Sequence, residues 1–141
     1  LMKVKEKILG TTITCEVRRA DYTKYFGKEV TDSLVQFNHN SGIVTVDERT
    51  SENYANYSAI HECICCGKFA ALVPRNGDDD ISRCSRVEQL VMDSMPESYR
   101  IEYSTKRREM FSTLLEKGLN PSLNESFKCS LKFHENFLKG R

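Results

Sequence analysis

The sequence predicts an α+β fold, with extended segments early in the chain and helices after them. Three observations carry that expectation. Residues 34–37 (Leu-Val-Gln-Phe) and 43–46 (Ile-Val-Thr-Val) flank a turn-rich stretch, Asn38-His39-Asn40-Ser41-Gly42, and together they read as a β-hairpin. From about Thr50 onward, apolar residues recur every three or four positions, the period of an amphipathic helix. Helix-ending residues punctuate that region at Gly67, Pro96, Gly118 and Pro121.

Before the hairpin, residues 11–17 (Thr-Thr-Ile-Thr-Cys-Glu-Val) are rich in β-branched side chains and follow Gly10, so a strand is expected there. Residues 20–26 are expected to form a short helix closed by Gly27. After the hairpin, Thr50 or Ser51 offers an N-cap, and Glu52 places negative charge in the first turn. Tyr54, Tyr57, Ile60 and Ile64 then keep helical spacing. Residues 73–80, with Pro74, Asn76-Gly77 and three aspartates, read as a surface loop. The aspartates lack the spacing and the closing glutamate of an EF-hand.

A helix over 82–95 follows, with Cys84, Val87, Val91 and Met95 inward, and stops at Pro96. The next covers about 98–117, with Met110, Phe111, Leu114 and Leu115 as its core stripe. Its basic run Lys106-Arg107-Arg108 is expected on a solvated face. Beyond Asn120-Pro121, the positions Leu123, Phe127, Leu131 and Leu138 mark a last amphipathic helix.

The 141 residues suffice for one ordinary core, so a single domain over 1–141 is expected. Residues 30–96 would hold its main site and 98–138 a helical part. With 39% hydrophobic and 29% charged residues the composition is globular rather than disordered. Lys plus Arg (21) balances Asp plus Glu (20), so no net field argues for nucleic acid or acidic lipid. No apolar run approaches the ~20 residues that span a bilayer. The lysine-rich start lacks the apolar core of a signal peptide, which points to a reducing, cytoplasmic setting. A piece cut from a longer chain would begin in a similar way.

Six cysteines are present: Cys15, Cys63, Cys65, Cys66, Cys84 and Cys129. Three of them crowd into four consecutive positions, an awkward disulfide framework that favours free thiols or metal. In the stretch Tyr57-Ser58-Ala59-Ile60-His61-Glu62-Cys63-Ile64-Cys65-Cys66-Gly67, His61 and Cys65 lie one helical turn apart and share a face. Glu62 points to an adjacent side. That is the layout of the zinc-peptidase helix, two ligands at i and i+4 with a glutamate as general base, except that cysteine stands where the motif has histidine.

Plainer readings stand beside this one. Cysteine is among the most buried residue types, so Cys65 can simply pack in a core, as Cys63, Cys15 and Cys129 are expected to do. Cys63 and Cys66 have Cys-x-x-Cys spacing but stand inside the helix, away from the N-terminal dipole that activates redox thiols. His134-Glu135 repeats only the first half of the motif, with Leu138 at i+4. His39 falls in an exposed turn.

A hairpin, then a capped helix carrying His-Glu-x-x-ligand, then a loop and a helix ending in Met-Pro, resembles the ImmA/IrrE family of bacterial and phage-associated metallopeptidases. The resemblance covers roughly residues 30–96, through Gly42-Ile43-Val44-Thr45-Val46-Asp47, Ser58-Ala59-Ile60-His61-Glu62 and Asp93-Ser94-Met95-Pro96. His61-Glu62 is its one specific match. It implies a zincin-like fold, a small mixed or antiparallel sheet whose hairpin packs on the metal-site helix. It also implies zinc and hydrolysis of a protein substrate, often a helix-turn-helix repressor.

In that family the third ligand is an acidic residue on the next helix, which implies Glu88 here. Cys84, one turn earlier, is the alternative. The sequence departs from the family in having Cys65 for the second histidine, and Glu88 lies closer to Met95-Pro96 than the family pattern has it.

The two ligand sets differ in chemistry. Catalytic zinc keeps three protein ligands and a water whose pKa falls to about 7. A thiolate donates more charge than an imidazole and makes the metal a weaker Lewis acid. A His61/Cys65/Glu88 site with Glu62 as base would be a zinc endopeptidase. A His61/Cys65/Cys84 site closed by Cys66 would be structural. The chain would then be a non-catalytic protein-binding domain, as it would with no metal at all.

Overall fold

The computed structural model describes residues 1–25, 35–118 and 121–141, which divide into two compact units, Leu1–Pro74 and Arg75–Arg141. The first unit is a four-stranded mixed sheet with one long helix on it; the second is helical. The α+β class expected from the sequence is therefore what folds.

Four strands, β1 (Met2–Ile8), β2 (Thr11–Ala20), β3 (Val35–Phe37) and β4 (Ile43–Asp47), pair in the order β1-β2-β4-β3. β1 and β2 form an antiparallel hairpin in which Ile8 faces Thr11. Its two-residue turn puts Leu9 at φ 51° and Gly10 at φ 77°. Two successive left-handed residues give a turn whose twist matches that of the flanking strands. β2 then runs parallel to β4, and β4 pairs antiparallel with β3, closing the expected hairpin.

In the loop between β3 and β4 the Asn38 side chain accepts from the Asn40 and Ser41 amides, and Gly42 takes φ 72°. β1 is the element that sequence periodicity did not separate from the N-terminal charge run. Its lysines at 3, 5 and 7 alternate with Val4, Glu6 and Ile8, and only Ile8 is fully covered.

Helix α1 (Tyr22–Tyr25) follows β2, and helix α2 (Glu52–Cys65) lies across all four strands. The Ser51 hydroxyl caps α2 by accepting from the Tyr54 amide. The core between sheet and helix follows the two periods of the chain. β2 turns Ile13, Cys15 and Val17 inward, β4 gives Val44 and Val46, and α2 gives Ala55, Ala59, Ile60, Cys63 and Ile64. Each fully buried Val or Ile in such a layer contributes about 1.5–3 kcal/mol.

Polar ties fix the entry into α2. The Tyr22 hydroxyl donates to the Thr45 carbonyl at 2.6 Å, and Arg19 donates to the carbonyls of Glu48 and Thr50. Asp47, at the end of β4, accepts from the Arg49 amide and guanidinium, each at 2.8 Å. That guanidinium holds the Asp47 carboxyl below the usual range.

The second unit contains α3 (Arg83–Ser94), α4 (Glu97–Lys117) and α5 (Asn124–Leu138). Asp80 anchors the start of α3: it accepts from the Asn76 amide, the Ser82 hydroxyl and the Arg86 guanidinium, the last at 2.6 Å. The third aspartate of the loop thus anchors the helix start. Pro96 separates α3 from α4, and Gly118, at φ 61°, ends α4 with its amide on the Leu114 carbonyl.

Two expectations are corrected here. Arg107, from the basic run read as a solvated face, is 2% exposed. On α5 the fully buried positions are Ser130 and His134, whereas Leu123 is exposed and Phe127, Leu131 and Leu138 are half-buried. The expected helix end at Phe26-Gly27, the hairpin residue Leu34 and Asn120 lie outside the described residues. Among the described residues no helix is long and apolar enough to cross a membrane.

Candidate functional site

α2 presents His61, Glu62 and Cys65 from a regular, capped helix, so His61 and Cys65 do stand one turn apart. His61 is buried, while Glu62 and Cys65 are half-buried. The end of the helix turns the Cys66 thiol back on Glu62, 3.4 Å from Oε2 and 3.3 Å from the Glu62 carbonyl oxygen. Burial, and then the Glu62 charge, pushes the Cys66 thiol far up, so it is protonated and able to donate. The Tyr22 hydroxyl is likewise pushed up by burial, with the charges of Asp47 and Glu62 adding to it. Glu62 therefore looks onto a thiol and shares its electrostatic surroundings with a buried phenol.

A second cluster in the same unit joins β2 to α2. Cys15 Sγ lies 3.5 Å from the Ala59 carbonyl oxygen, one turn before Cys63, and both thiols are buried. The neighbouring Cys63 and burial together raise the Cys15 thiol. Both were expected to be core thiols, and they are. The signal for their burial lay in two periods: Cys15 alternates with Ile13 and Val17, and Cys63 falls one turn after Ala59.

Glu88 and Cys84 belong to the second unit, where local partners engage both. Glu88 is 0% exposed, and its Oε1 accepts from Arg107 at 2.7 Å. Its Oε2 lies 3.0 Å from His134 Nε2, at ion-pairing distance but off the line of a hydrogen bond. On the far side of that ring, His134 Nδ1 meets the Ser104 hydroxyl at 2.7 Å. The hydroxyl and Nδ1 share one hydrogen bond, its direction set by the ring's tautomer.

Aromatic groups seal the cluster. The Arg107 guanidinium lies 4.9 Å over the Phe111 ring and 5.7 Å from the Tyr103 ring centre, and the His134 ring stacks on Phe111. The Cys84 thiol is raised, chiefly by burial.

The expected ligands are thus divided between the units: His61 and Cys65 on α2, Glu88 and Cys84 on α3. Among the described residues, no group of three or more His, Cys, Asp or Glu side chains is arranged to hold a metal ion. Catalytic zinc needs a third protein ligand with a lone pair to give. Among the described residues, Glu88 is held within its own unit, with one oxygen on Arg107 and the other 3.0 Å from His134. From the sequence, Arg107 is expected on a solvated face, His134 repeats only half a motif, and Ser104 does not stand out. Their signal was positional: Ser104, Arg107 and Phe111 on α4, and Phe127, Ser130 and His134 on α5, keep spacings of three and four.

Comparisons with protein-family models, with curated proteins and with solved structures gave no match.

Proposed function

We propose that this chain is a non-catalytic relative of the zincin-like ImmA/IrrE proteins, one that keeps their hairpin-and-helix frame and acts by binding another protein. The observation that carries the reading is the commitment of Glu88, the residue the resemblance offers as third ligand, to Arg107 and His134. The turn of the Cys66 thiol onto Glu62 supports it further, because a general base must be open to water. The frame itself is supported by the β3–β4 hairpin, the capped α2 and the packing of α2 on the sheet. On this reading zinc at His61 and Cys65 is structural or absent. The partner is a protein, and by the resemblance alone a helix-turn-helix repressor is the first to try.

The competing reading is a zinc endopeptidase with Glu62 as base, favoured by Glu62 staying half-exposed next to buried His61. One experiment separates the two. Freshly purified, reduced protein is assayed for zinc content and, with zinc added, for cleavage of an unfolded protein substrate alongside Glu62→Gln. Equal, background-level cleavage by both proteins is expected. Zinc-dependent cleavage that Glu62→Gln abolishes would overturn the non-catalytic reading.

A further inference from the structure

We propose that the Asn76–Gly77 peptide is a self-modifying site: its side-chain amide is hydrolysed to isoaspartate and aspartate, and the isoaspartate form releases the start of α3. The inference is independent of the reading of α2, because every residue it uses lies in the loop before α3 or on α3. The reaction needs the next backbone nitrogen to reach the asparagine Cγ, and glycine, with no Cβ, leaves that path open. Asn76 is the one asparagine of the chain followed by glycine, and both residues stand exposed outside any helix or strand. Among the described residues the Gly77 amide donates no hydrogen bond, so its nitrogen breaks none on attack.

The other asparagines lack that combination. Asn38 and Asn40 share an exposed turn, but Asn38 Oδ1 accepts from the Asn40 and Ser41 amides. Those bonds hold the first side chain and engage the nitrogen that would attack the second. Asn53, Asn56, Asn124 and Asn136 stand in α2 and α5, whose helical backbone turns the next nitrogen away from the side-chain carbon. Asn120 precedes a proline, which has no N–H to lose.

Water is the only co-reactant. Gly77 N loses its proton and attacks Asn76 Cγ; the Cγ–Nδ2 bond breaks, and ammonia leaves with that proton. Water then opens the cyclic imide at either carbonyl. Attack at Cγ restores the ordinary main chain with an aspartate side chain. Attack at the Asn76 backbone carbonyl carbon breaks its bond to Gly77 N, and the chain then runs through Cγ as isoaspartate. Nothing is oxidised or reduced. The Asn76 N–H donates to Asp80 Oδ2 at 3.0 Å, and Asp80 also accepts from Ser82 and Arg86 at the first turn of α3. Isoaspartate adds a main-chain carbon between the two residues and puts a new carboxylate on the same Cα as that N–H. Both changes act against the bond to Asp80.

The test holds the full, reduced chain in mildly alkaline buffer at body temperature and digests it with trypsin beside fresh protein. Peptide 76–83 should gain about 1 Da in more than half of the molecules before any other asparagine peptide does. Isoaspartate, read by isoaspartyl methyltransferase labelling of the intact chain, should be the larger product. Hydrogen exchange at residues 82–86 should quicken in the aged chain and not in fresh Asn76→Asp, which keeps the ordinary main chain. A Cβ at position 77 would meet nothing within 4 Å, and Gly77 is not left-handed, so Gly77→Ala fits the loop. That variant should keep its Asn76 amide over the time in which the parent loses it; if it fails to fold, mapping of the unaltered chain still decides. An Asn76 amide that survives in the folded chain while the urea-unfolded chain loses it would overturn the proposal. So would conversion of Gly77→Ala at the parent's rate, or unchanged exchange at α3 in the isoaspartate form.

Discussion

Substituting Glu88 with Gln should cost the helical unit most of its stability, with or without zinc in the buffer. The carboxylate and the Arg107 guanidinium are 0% and 2% exposed and meet at 2.7 Å, so each has exchanged water for the other. Removing one charge strands the other in a shell of Tyr103 and Phe111, and breaking a buried pair in this way costs about 3–5 kcal/mol. The unit spans residues 75–141, a size whose whole stability is on the order of 3–10 kcal/mol. At roughly 4–8 °C per kcal/mol, the helical melting transition should fall by at least ~12 °C.

Thermal and urea unfolding of the full chain, followed by far-ultraviolet circular dichroism with and without chelator, would measure this. The double substitution E88L/R107M removes both charges and should recover most of the loss, because an apolar pair of similar volume is often as stable as a buried ion pair. An E88Q transition within about 4 °C of the parent, or a loss seen only in zinc-loaded protein, would refute the closed cluster and return Glu88 to the role of a ligand.

Ser104→Ala removes the hydroxyl on His134 Nδ1 and leaves that nitrogen buried without its partner; a loss of about 1–3 kcal/mol is expected from the urea midpoint. A Cβ added at Gly67 would sit 2.9 Å from the Cys63 Cα and carbonyl oxygen, both backbone atoms that cannot swing aside. Gly67→Ala should therefore destabilise the first unit by about 1–3 kcal/mol, and an unchanged melting temperature would show that the end of α2 shifts freely. The Arg86 guanidinium, with help from Ser82 and the Asn76 amide, holds the Asp80 carboxyl far below its usual pKa. A depressed carboxyl stabilises fully above its unfolded value near 3.9, and that contribution is lost as pH falls toward the native value. The parent should lose melting temperature more steeply than Asp80→Asn between about pH 5 and pH 2, and parallel profiles would contradict the linkage.

The features legible in the sequence were those that a local period encodes. The β3–β4 hairpin declared itself through its turn residues, and α2 through Ser51 and the spacing of Tyr54, Ile60 and Ile64. Pro96 and Gly118 marked helix ends because their backbones impose them. The parallel pairing of β2 with β4 was not legible, since alternation tells which face a residue takes and not which strand lies beside it. β1 was hidden by lysines that a strand tolerates only on an open face.

At the candidate site, the one-turn spacing of His61 and Cys65 could be read directly, whereas the partners of Glu88 could not. Arg107 and His134 are residue types ordinarily assigned to solvent. Their place on the buried line of α4 and α5 becomes visible only when position is weighed above chemistry.

The lysines of β1 carry a consequence for association between molecules. In the described sheet this strand is outermost, and Lys3, Lys5 and Lys7 all stand exposed on one side of it. A second copy approaching rim to rim would bring two rows of ammonium groups together before any amide could reach a carbonyl, and that repulsion blocks open-ended sheet growth. The barrier is electrostatic, so it thins as ionic strength rises: near 1 M salt, where charges are felt over only about 3 Å, turbidity on standing should develop fastest.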